Sequence, residues 1–323
     1  MKIWAISKEN GYEREIGLEL DGVDRETAIN ELYKIACGPN SNDYNWTDVV
    51  MSNLGEWHTK AISLHYYTVP TGDWNKKGSA TEFSDEEYYE TISKTLYMDE
   101  LIKRHSEIMS RRDPEGKIGL IVDEWGCWYD VEEGTNPGFL YQQNTMRDAL
   151  VAGMTLNIFN KHSDRVKMAC IAQLINVLQS VMLTDGDKMI KTPTYYVFHM
   201  MRHHQGAALL DSSLVGGATV GSGKNELPKV FESVSEDKDG VITVTLTNNS
   251  LESSEDVDIM LTNEGDKYSV SEARYIEGAM DAHNTFEAPE VVDEKDFTAY
   301  ENTQTGVKVT LPACSVVTLR LSK

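Results

Sequence analysis

The sequence predicts an α/β barrel portion followed by an all-β sandwich, and two observations carry this prediction. Up to about residue 205, short apolar runs alternate with longer stretches of helical periodicity, which is typical of a parallel sheet covered by helices. Beyond that point, apolar and polar residues alternate between turn residues, which is typical of an antiparallel sandwich. With 323 residues, 40% of them hydrophobic, the chain is long enough for two domains. We expect the barrel portion over residues 1–205 and the sandwich over residues 206–323.

Five apolar runs in the first part have the length and composition of strands, namely 2–7, 33–38, 61–67, 117–125 and 154–159. They are nearly continuous in apolar residues, as strands are when helices cover both faces of a parallel sheet. A helix is predicted over 84–112, because Ser84 with Glu87 three residues later forms a capping box. Two more helices are predicted over 141–153 and 165–183. Strands that alternate with helices in this way predict a parallel α/β sheet.

The second part contains five segments with the period-two pattern of half-buried strands. These predicted strands are 240–249, 254–263, 268–276, 306–312 and 315–322. Turn residues separate them, so an antiparallel sandwich is the expected arrangement.

Charge and composition exclude several classes of partner. The chain has 52 acidic and 30 basic residues and a formal net charge of −22, so nucleic acid would be repelled. A basic amphipathic helix and a long apolar segment are both lacking, which argues against a membrane partner. The four cysteines are far apart and fit free thiols in a reducing compartment. No secretory signal is recognisable, so we expect a cytoplasmic protein. A neutral sugar as ligand fits this charge.

Polar and aromatic residues stand where predicted barrel strands end, and the ends of barrel strands form the mouth of an active site. Glu124 and Trp125 follow one apolar run, and His65, Tyr66 and Tyr67 end another. Two further candidate strand ends carry Glu9, and Asn160 with His162. Two carboxyl groups with aromatic and imidazole neighbours are what the cleavage of a glycosidic bond needs.

Each candidate also has a structural interpretation. Glu124 could cap the following segment or pair with a basic residue, and His65 could be a core histidine with satisfied hydrogen bonds. Glu9 stands in a charged stretch typical of a solvated surface. The pair His203–His204 has no carboxylate partner in sequence, so we interpret it as solvated or core residues and not as a metal site. Cleavage of a glycosidic bond by two carboxyl groups needs neither a metal ion nor an organic cofactor.

Longer motifs resemble the α-L-arabinofuranosidases of glycoside hydrolase family 51. The resemblance runs in order from about residue 33 to the C-terminus, through YKIACGPNSNDYNW, ISLHYYTVP, IVDEWGCWY, LNIFNKHSDRVKMACIAQLINVLQSVMLTDGDKM, TPTYYVFHMMRHHQGA and the closing LPACSVVTLRL. It implies a (β/α)8 barrel followed by a β-sandwich, and cleavage with retention of anomeric configuration. The barrel of that family has eight strands, and this sequence shows five. The resemblance therefore implies that N-terminal barrel strands are missing.

The resemblance also implies roles for single residues. Glu124 in DEWGCWY matches the catalytic nucleophile, and Trp128 matches an aromatic wall of the arabinose site. His65 and Tyr67 match the pair that contacts the nucleophile and the sugar. Gln173 matches a sugar-binding glutamine from the last barrel helix region. Glu9 aligns with the acid/base if KIWAISKENG corresponds to the fourth barrel strand, although Lys8 stands where the family has asparagine.

Three functions follow as hypotheses. The first is a retaining hydrolase that releases terminal α-L-arabinofuranosyl residues from arabinose-containing oligo- or polysaccharides, as in arabinan degradation. The second is a truncated remnant of impaired activity that acts as a sugar-binding or assembly module. The third is another retaining glycosidase, such as a β-xylosidase or an endoglucanase. The resemblance further implies a homo-oligomer.

Overall fold

The computed structural model describes residues 33–54, 59–261 and 267–323, and the backbone of two strands before them. Those two strands are β1 (Lys2–Glu9) and β2 (Tyr12–Glu19). They pair antiparallel in a two-stranded sheet of their own. The expectation that residues 2–7 form a strand of the parallel barrel is therefore wrong. The sequence holds the reason, because Asn10-Gly11 between two strands is a strong hairpin signal.

Four strands form a parallel sheet in the order β3 (Ile35–Ala36), β4 (Ala61–Thr68), β5 (Gly119–Cys127) and β6 (Val166–Ile171). Helix α1 (Tyr44–Asn53) connects β3 to β4, and α2 (Asp85–Thr95) with α3 (Tyr97–Ser110) connects β4 to β5. Helix α4 (Met146–Lys161) connects β5 to β6, and α5 (Pro193–Met201) follows later. Parallel strands joined by helices are thus confirmed for this part of the chain, and a barrel stays a prediction.

The predicted helix over 84–112 is confirmed as the pair α2 and α3, which are separated at Leu96. Its capping box is present at the start of α2. The Ser84 hydroxyl accepts from the Glu87 amide at 3.3 Å, and the Glu87 carboxylate accepts from the Ser84 amide at 2.9 Å. Two of the otherwise unpaired donors at this helix start are satisfied in this way.

Two predicted elements in the middle of the chain are wrong. The expected strand over 154–159 lies inside α4, and the expected helix over 165–183 is strand β6 followed by a loop. The loop leads to the hairpin β7 (Met182–Asp185) and β8 (Lys188–Lys191). Helix α4 contacts β5 on one side and the antiparallel strands after residue 206 on another, and nearly all of its residues are buried. A helix buried all round loses the apolar stripe by which helices are recognised in a sequence.

The second part of the chain is all β. Its strands are β9 (Ala208–Leu210), β10 (Thr219–Val220), β11 (Leu227–Pro228), β12 (Val230–Glu236), β13 (Ile242–Asn248), β14 (Glu255–Met260), β15 (Ser269–Glu277), β16 (Lys295–Asp296), β17 (Tyr300–Asn302), β18 (Gly306–Leu311) and β19 (Ser315–Ser322). One sheet has the order β16-β15-β19-β13-β12-β9, and a second has the order β14-β18-β17. All five strands predicted here are present. In chain order, β9 is the first strand of the larger sheet. We therefore propose a boundary between the two domains near residue 206.

Two hydrophobic cores hold these layers. One lies between the two antiparallel sheets and includes Val244, Leu246, Val309 and Leu319. The other surrounds α4 and includes side chains from the parallel sheet and from β19, such as Leu120 and Val316. Within the described ranges, no helix combines the length and the apolar composition that crossing a bilayer requires.

Candidate active site

The site is built at the carboxyl ends of β4 and β5, where a bulge changes the alternation of side chains. His65 on β4 pairs in register with Glu124 on β5, and Ser63 pairs with Ile121. Between these two pairs, β4 has one residue, whereas β5 has two, of which Asp123 is the second. Strand β5 therefore carries one extra residue at this point. The ladder from β5 to β6 shifts at the same place. Bulges re-aim side chains, and this one lets the consecutive residues Asp123 and Glu124 both reach His65.

Two side chains from β4 hold one oxygen of Glu124. The Tyr67 hydroxyl donates to Glu124 Oε2 at 2.9 Å, and His65 Nδ1 lies 3.5 Å from the same oxygen. The side chain of Glu124 is 47% exposed, so a ligand can reach it. Within the described residues, Glu124 Oε1 has no hydrogen bond. The arrangement fixes one carboxylate oxygen and leaves the other available for chemistry.

The phenol of Tyr67 is kept in its donor form. Burial raises the pKa of Tyr67, and the hydrogen bond to Glu124 and the negative charges of Glu124 and Asp123 raise it further. The group therefore stays protonated across the neutral range and goes on donating to the carboxylate.

An aromatic cluster lies beside Glu124. The ring centroids of Tyr67 and Trp128 are 4.9 Å apart, and those of Trp128 and Trp74 are 5.3 Å apart, both in edge-to-face geometry. Trp74 is 50% exposed, so part of this residue is accessible to a ligand. Trp128 was expected here, whereas sequence reasoning missed Trp74. Its position in the loop after β4, six residues beyond the end of that strand, is the signal that could have found it.

The chain that follows β3 also reaches this mouth. The amide of Ser41 donates to the His65 carbonyl at 2.7 Å, and the amide of His65 donates to the Pro39 carbonyl at 3.2 Å. Buried His105 anchors the segment, because its Nε2 lies 2.8 Å from the Ser41 carbonyl and its Nδ1 lies 2.8 Å from Thr47 Oγ1. Burial lowers the pKa of His105, which favours a neutral ring in these contacts.

Gln173 lies just beyond the end of β6, not in a helical region as expected from the resemblance. The amide of Ala172 donates to the Trp125 carbonyl at 2.9 Å, which ties this loop to β5 directly after Glu124. Buried Gln179 supports the loop, since its side-chain nitrogen donates to the Ala172 carbonyl at 2.9 Å. Gly126 makes room for that amide, because a Cβ there would lie 2.5 Å from Gln179 Nε2. The exposed side chain of Gln173 thus stands at the same edge of the sheet as Glu124.

The other candidates lie elsewhere. Asn160 and His162 stand at the end of helix α4, so the expectation that they end a strand is wrong. The side chain of Asn160 lies 2.9 Å from Ser233, and that of His162 lies 2.6 Å from Asp99. The side chain of Glu9 lies outside the described residues, and its role stays a prediction. In the described part of the chain, no group of three or more histidine, cysteine or acidic residues is placed to hold a metal ion.

Several known proteins are similar to this chain in sequence or in structure. A family model described as the α-L-arabinofuranosidase C-terminal domain matches residues 123–315. An intracellular exo-α-L-arabinofuranosidase from Bacteroides ovatus is 43% identical over 292 residues, which cover 90% of this chain and 56% of that enzyme. The solved structure of a family 51 arabinofuranosidase from Xanthomonas axonopodis pv. citri matches with a TM-score of 0.85 at 42% identity, covering 90% of this chain and 58% of that one.

A family 51 α-L-arabinofuranosidase from Bifidobacterium longum shares the fold, with a TM-score of 0.75 at 22% identity, over 91% of this chain and 60% of that one. The chain spans a little over half the length of these relatives. The matching family model covers more than half of the chain and begins at Asp123, beside the candidate nucleophile. The chain therefore belongs to the α-L-arabinofuranosidases of glycoside hydrolase family 51.

Proposed function

We propose that this chain carries the nucleophile side of a retaining α-L-arabinofuranosidase site, with Glu124 as the nucleophile. The observation that carries the proposal is the pair of contacts from Tyr67 and His65 to one oxygen of a half-exposed carboxylate. The names of the relatives support the substrate class, an α-L-arabinofuranosyl group at the end of a saccharide chain. The proposal assigns contacts with the sugar to Trp128, Trp74 and Gln173.

The proposed reaction is a double displacement. Glu124 attacks the anomeric carbon, the bond to the leaving oxygen breaks, and a covalent arabinosyl ester forms while a general acid protonates that oxygen. The same group then takes a proton from water, which attacks the ester and releases arabinose with retained configuration. Tyr67 keeps the carboxylate oriented for the first step and stabilises its negative charge before attack.

The first test traps the ester. Purified protein is mixed with dinitrophenyl α-L-arabinofuranoside, whose leaving group needs little protonation, and the quenched sample is analysed by intact mass and peptide mapping. We expect an added mass of one anhydroarabinosyl unit on the peptide that contains Glu124. Glu124→Gln should give no adduct and lose several orders of magnitude in turnover. Glu133→Gln, an exposed acid in the following loop, is the matched control. An adduct on another residue would remove the role from Glu124.

The acid/base needs a separate test, because β1 pairs in a hairpin and its place in a barrel has no support. If Glu9 acts as the acid/base, Glu9→Ala should slow alkyl arabinofuranosides far more than nitrophenyl ones, since only poor leaving groups need protonation. Equal loss on both substrates, or no loss, would exclude this role for Glu9.

The second candidate function is a sugar-binding or assembly module without turnover, and the exposed Trp74 beside Trp128 is what favours it. This function would give an arabinose-dependent change in tryptophan fluorescence with neither hydrolysis nor adduct. A panel of aryl xylosides and glucosides tests the alternative of another retaining glycosidase. A cytoplasmic location and a homo-oligomeric state are further parts of the proposal, which fractionation and light scattering can test.

A further inference from the structure

The imidazole of His65 lies between two carboxylates. Its Nδ1 is 3.5 Å from Glu124 Oε2, and its Nε2 is 3.0 Å from Asp123 Oδ1. The two ring nitrogens therefore face different acids, and the bulge in β5 is what brings both acids to one ring. The mechanism proposed above uses Glu124 and leaves Asp123 without a role.

Asp123 Oδ1 is screened from solvent and has no hydrogen bond with correct geometry among the described residues. The 3.0 Å contact with His65 Nε2 is therefore an electrostatic contact whose angle is not that of a hydrogen bond. A buried carboxylate oxygen without a donor is costly, and the donor closest at hand is this ring nitrogen. Among the described residues, the contact with His65 Nε2 is therefore the polar contact that the structure gives this oxygen.

We propose that Asp123 is a positioning residue, which fixes the orientation of the His65 ring and through it the surroundings of the Glu124 carboxylate. The proposal rests on the function proposed above. Carboxylates that contact one nitrogen of a histidine commonly orient the ring and set which nitrogen carries the proton. A ring held at Nε2 by Asp123 can only present Nδ1 to Glu124. Loss of Asp123 frees the ring to turn, so Glu124 Oε2 keeps Tyr67 and loses its second neighbour.

The test combines kinetics with a readout that does not need activity. We compare wild type, Asp123→Asn, His65→Gln and the double variant on dinitrophenyl α-L-arabinofuranoside. Asp99→Asn is the matched control, because Asp99 contacts His162 at 2.6 Å in an aspartate–histidine pair outside the site. We expect Asp123→Asn to lower kcat by about 10- to 100-fold with little change in KM, as misplacement of a reacting group does. The double variant should lie within about twofold of His65→Gln, because Asp123 acts through that ring.

A loss of less than about twofold in Asp123→Asn would overturn the proposal, and so would losses that multiply in the double variant. Imidazole nitrogen resonances of isotope-labelled histidine give the second readout. Asp123→Asn should shift the imidazole nitrogen resonances of His65, whereas Asp99→Asn should shift those of His162 only. If the wild-type protein does not cleave arabinofuranosides, the proposed function is wrong. The role of Asp123 is then judged from the imidazole resonances of His65 alone. Unchanged signals would then overturn the role of Asp123.

Discussion

At the scale of residues, the site depends on how one carboxylate is held. Glu124 Oε2 faces a phenol and an imidazole that both come from β4, and the exposed side of the group remains open. A carboxylate that is fixed at one oxygen loses little conformational freedom when it approaches the anomeric carbon. Its orientation therefore contributes to the rate. The residues that matter most are therefore those that touch this oxygen.

The variant Tyr67→Phe tests this view. It removes the 2.9 Å hydrogen bond to Glu124 and keeps the ring that packs on Trp128. We expect kcat to fall by about 10- to 100-fold while the affinity for arabinose changes little. Because the pKa of Tyr67 is raised, the phenol keeps its proton up to at least about pH 10, the ordinary pKa of tyrosine. Ionisation of Tyr67 should therefore cause no loss of wild-type activity between about pH 6 and about pH 10. Unchanged kcat in Tyr67→Phe would show that the bond has no part in the reaction.

At the scale of elements, the turn between α5 and β9 places a histidine in a partly buried polar contact. His204 ends a short 3₁₀ turn, Arg202–His204, and packs on two sandwich strands. Its Nδ1 lies 2.8 Å from Ser235 Oγ, and its Nε2 lies 3.0 Å from Thr245 Oγ1. Burial, with a smaller contribution from His203, lowers the pKa of His204 from 6.5 to about 4. The ring is thus neutral in the folded protein at neutral pH.

This shift predicts how stability depends on pH. Between pH 6.5 and about 4 the unfolded chain binds a proton at this residue that the folded protein excludes. The contribution of His204 is therefore fully present well above pH 6.5 and is lost as pH falls through that window, by about 3 kcal/mol in all. Urea unfolding at several pH values should show a shallower dependence in His204→Gln than in wild type. His283→Gln is the control, and an equal slope in wild type and His204→Gln would contradict the prediction.

At the scale of the whole molecule, helix α4 joins the parallel sheet to the antiparallel one. It contacts β5 on one side and β12, β13 and β19 on another. Phe159 near its end packs edge-to-face against Trp125 of β5, with ring centroids 5.4 Å apart. One core surrounds this helix and takes side chains from both parts of the chain, so the two parts should unfold together.

Phe159→Ala tests this coupling. Phe159 is buried, and its loss should lower the free energy of unfolding by about 3–5 kcal/mol. Tryptophan fluorescence and far-UV circular dichroism should report one coincident transition, both in wild type and in the variant. Phe139→Ala is the control, because Phe139 is 63% exposed and should change stability by less than about 0.5 kcal/mol. Separate transitions in wild type would show that the sheets unfold independently.

The sequence by itself determined the order of a parallel β/α part and an antiparallel part, and the carboxylate and aromatic residues at the ends of β4 and β5. These features depend on local periodicity and on residues adjacent in the chain, which a sequence displays directly. Only the tertiary structure decided that 154–159 is a helix and that Trp74 joins Trp128. It also decided that Asp123 and Glu124 share His65. The physical reason is that burial on all sides hides a helical pattern, and a bulge is defined by its neighbouring strands.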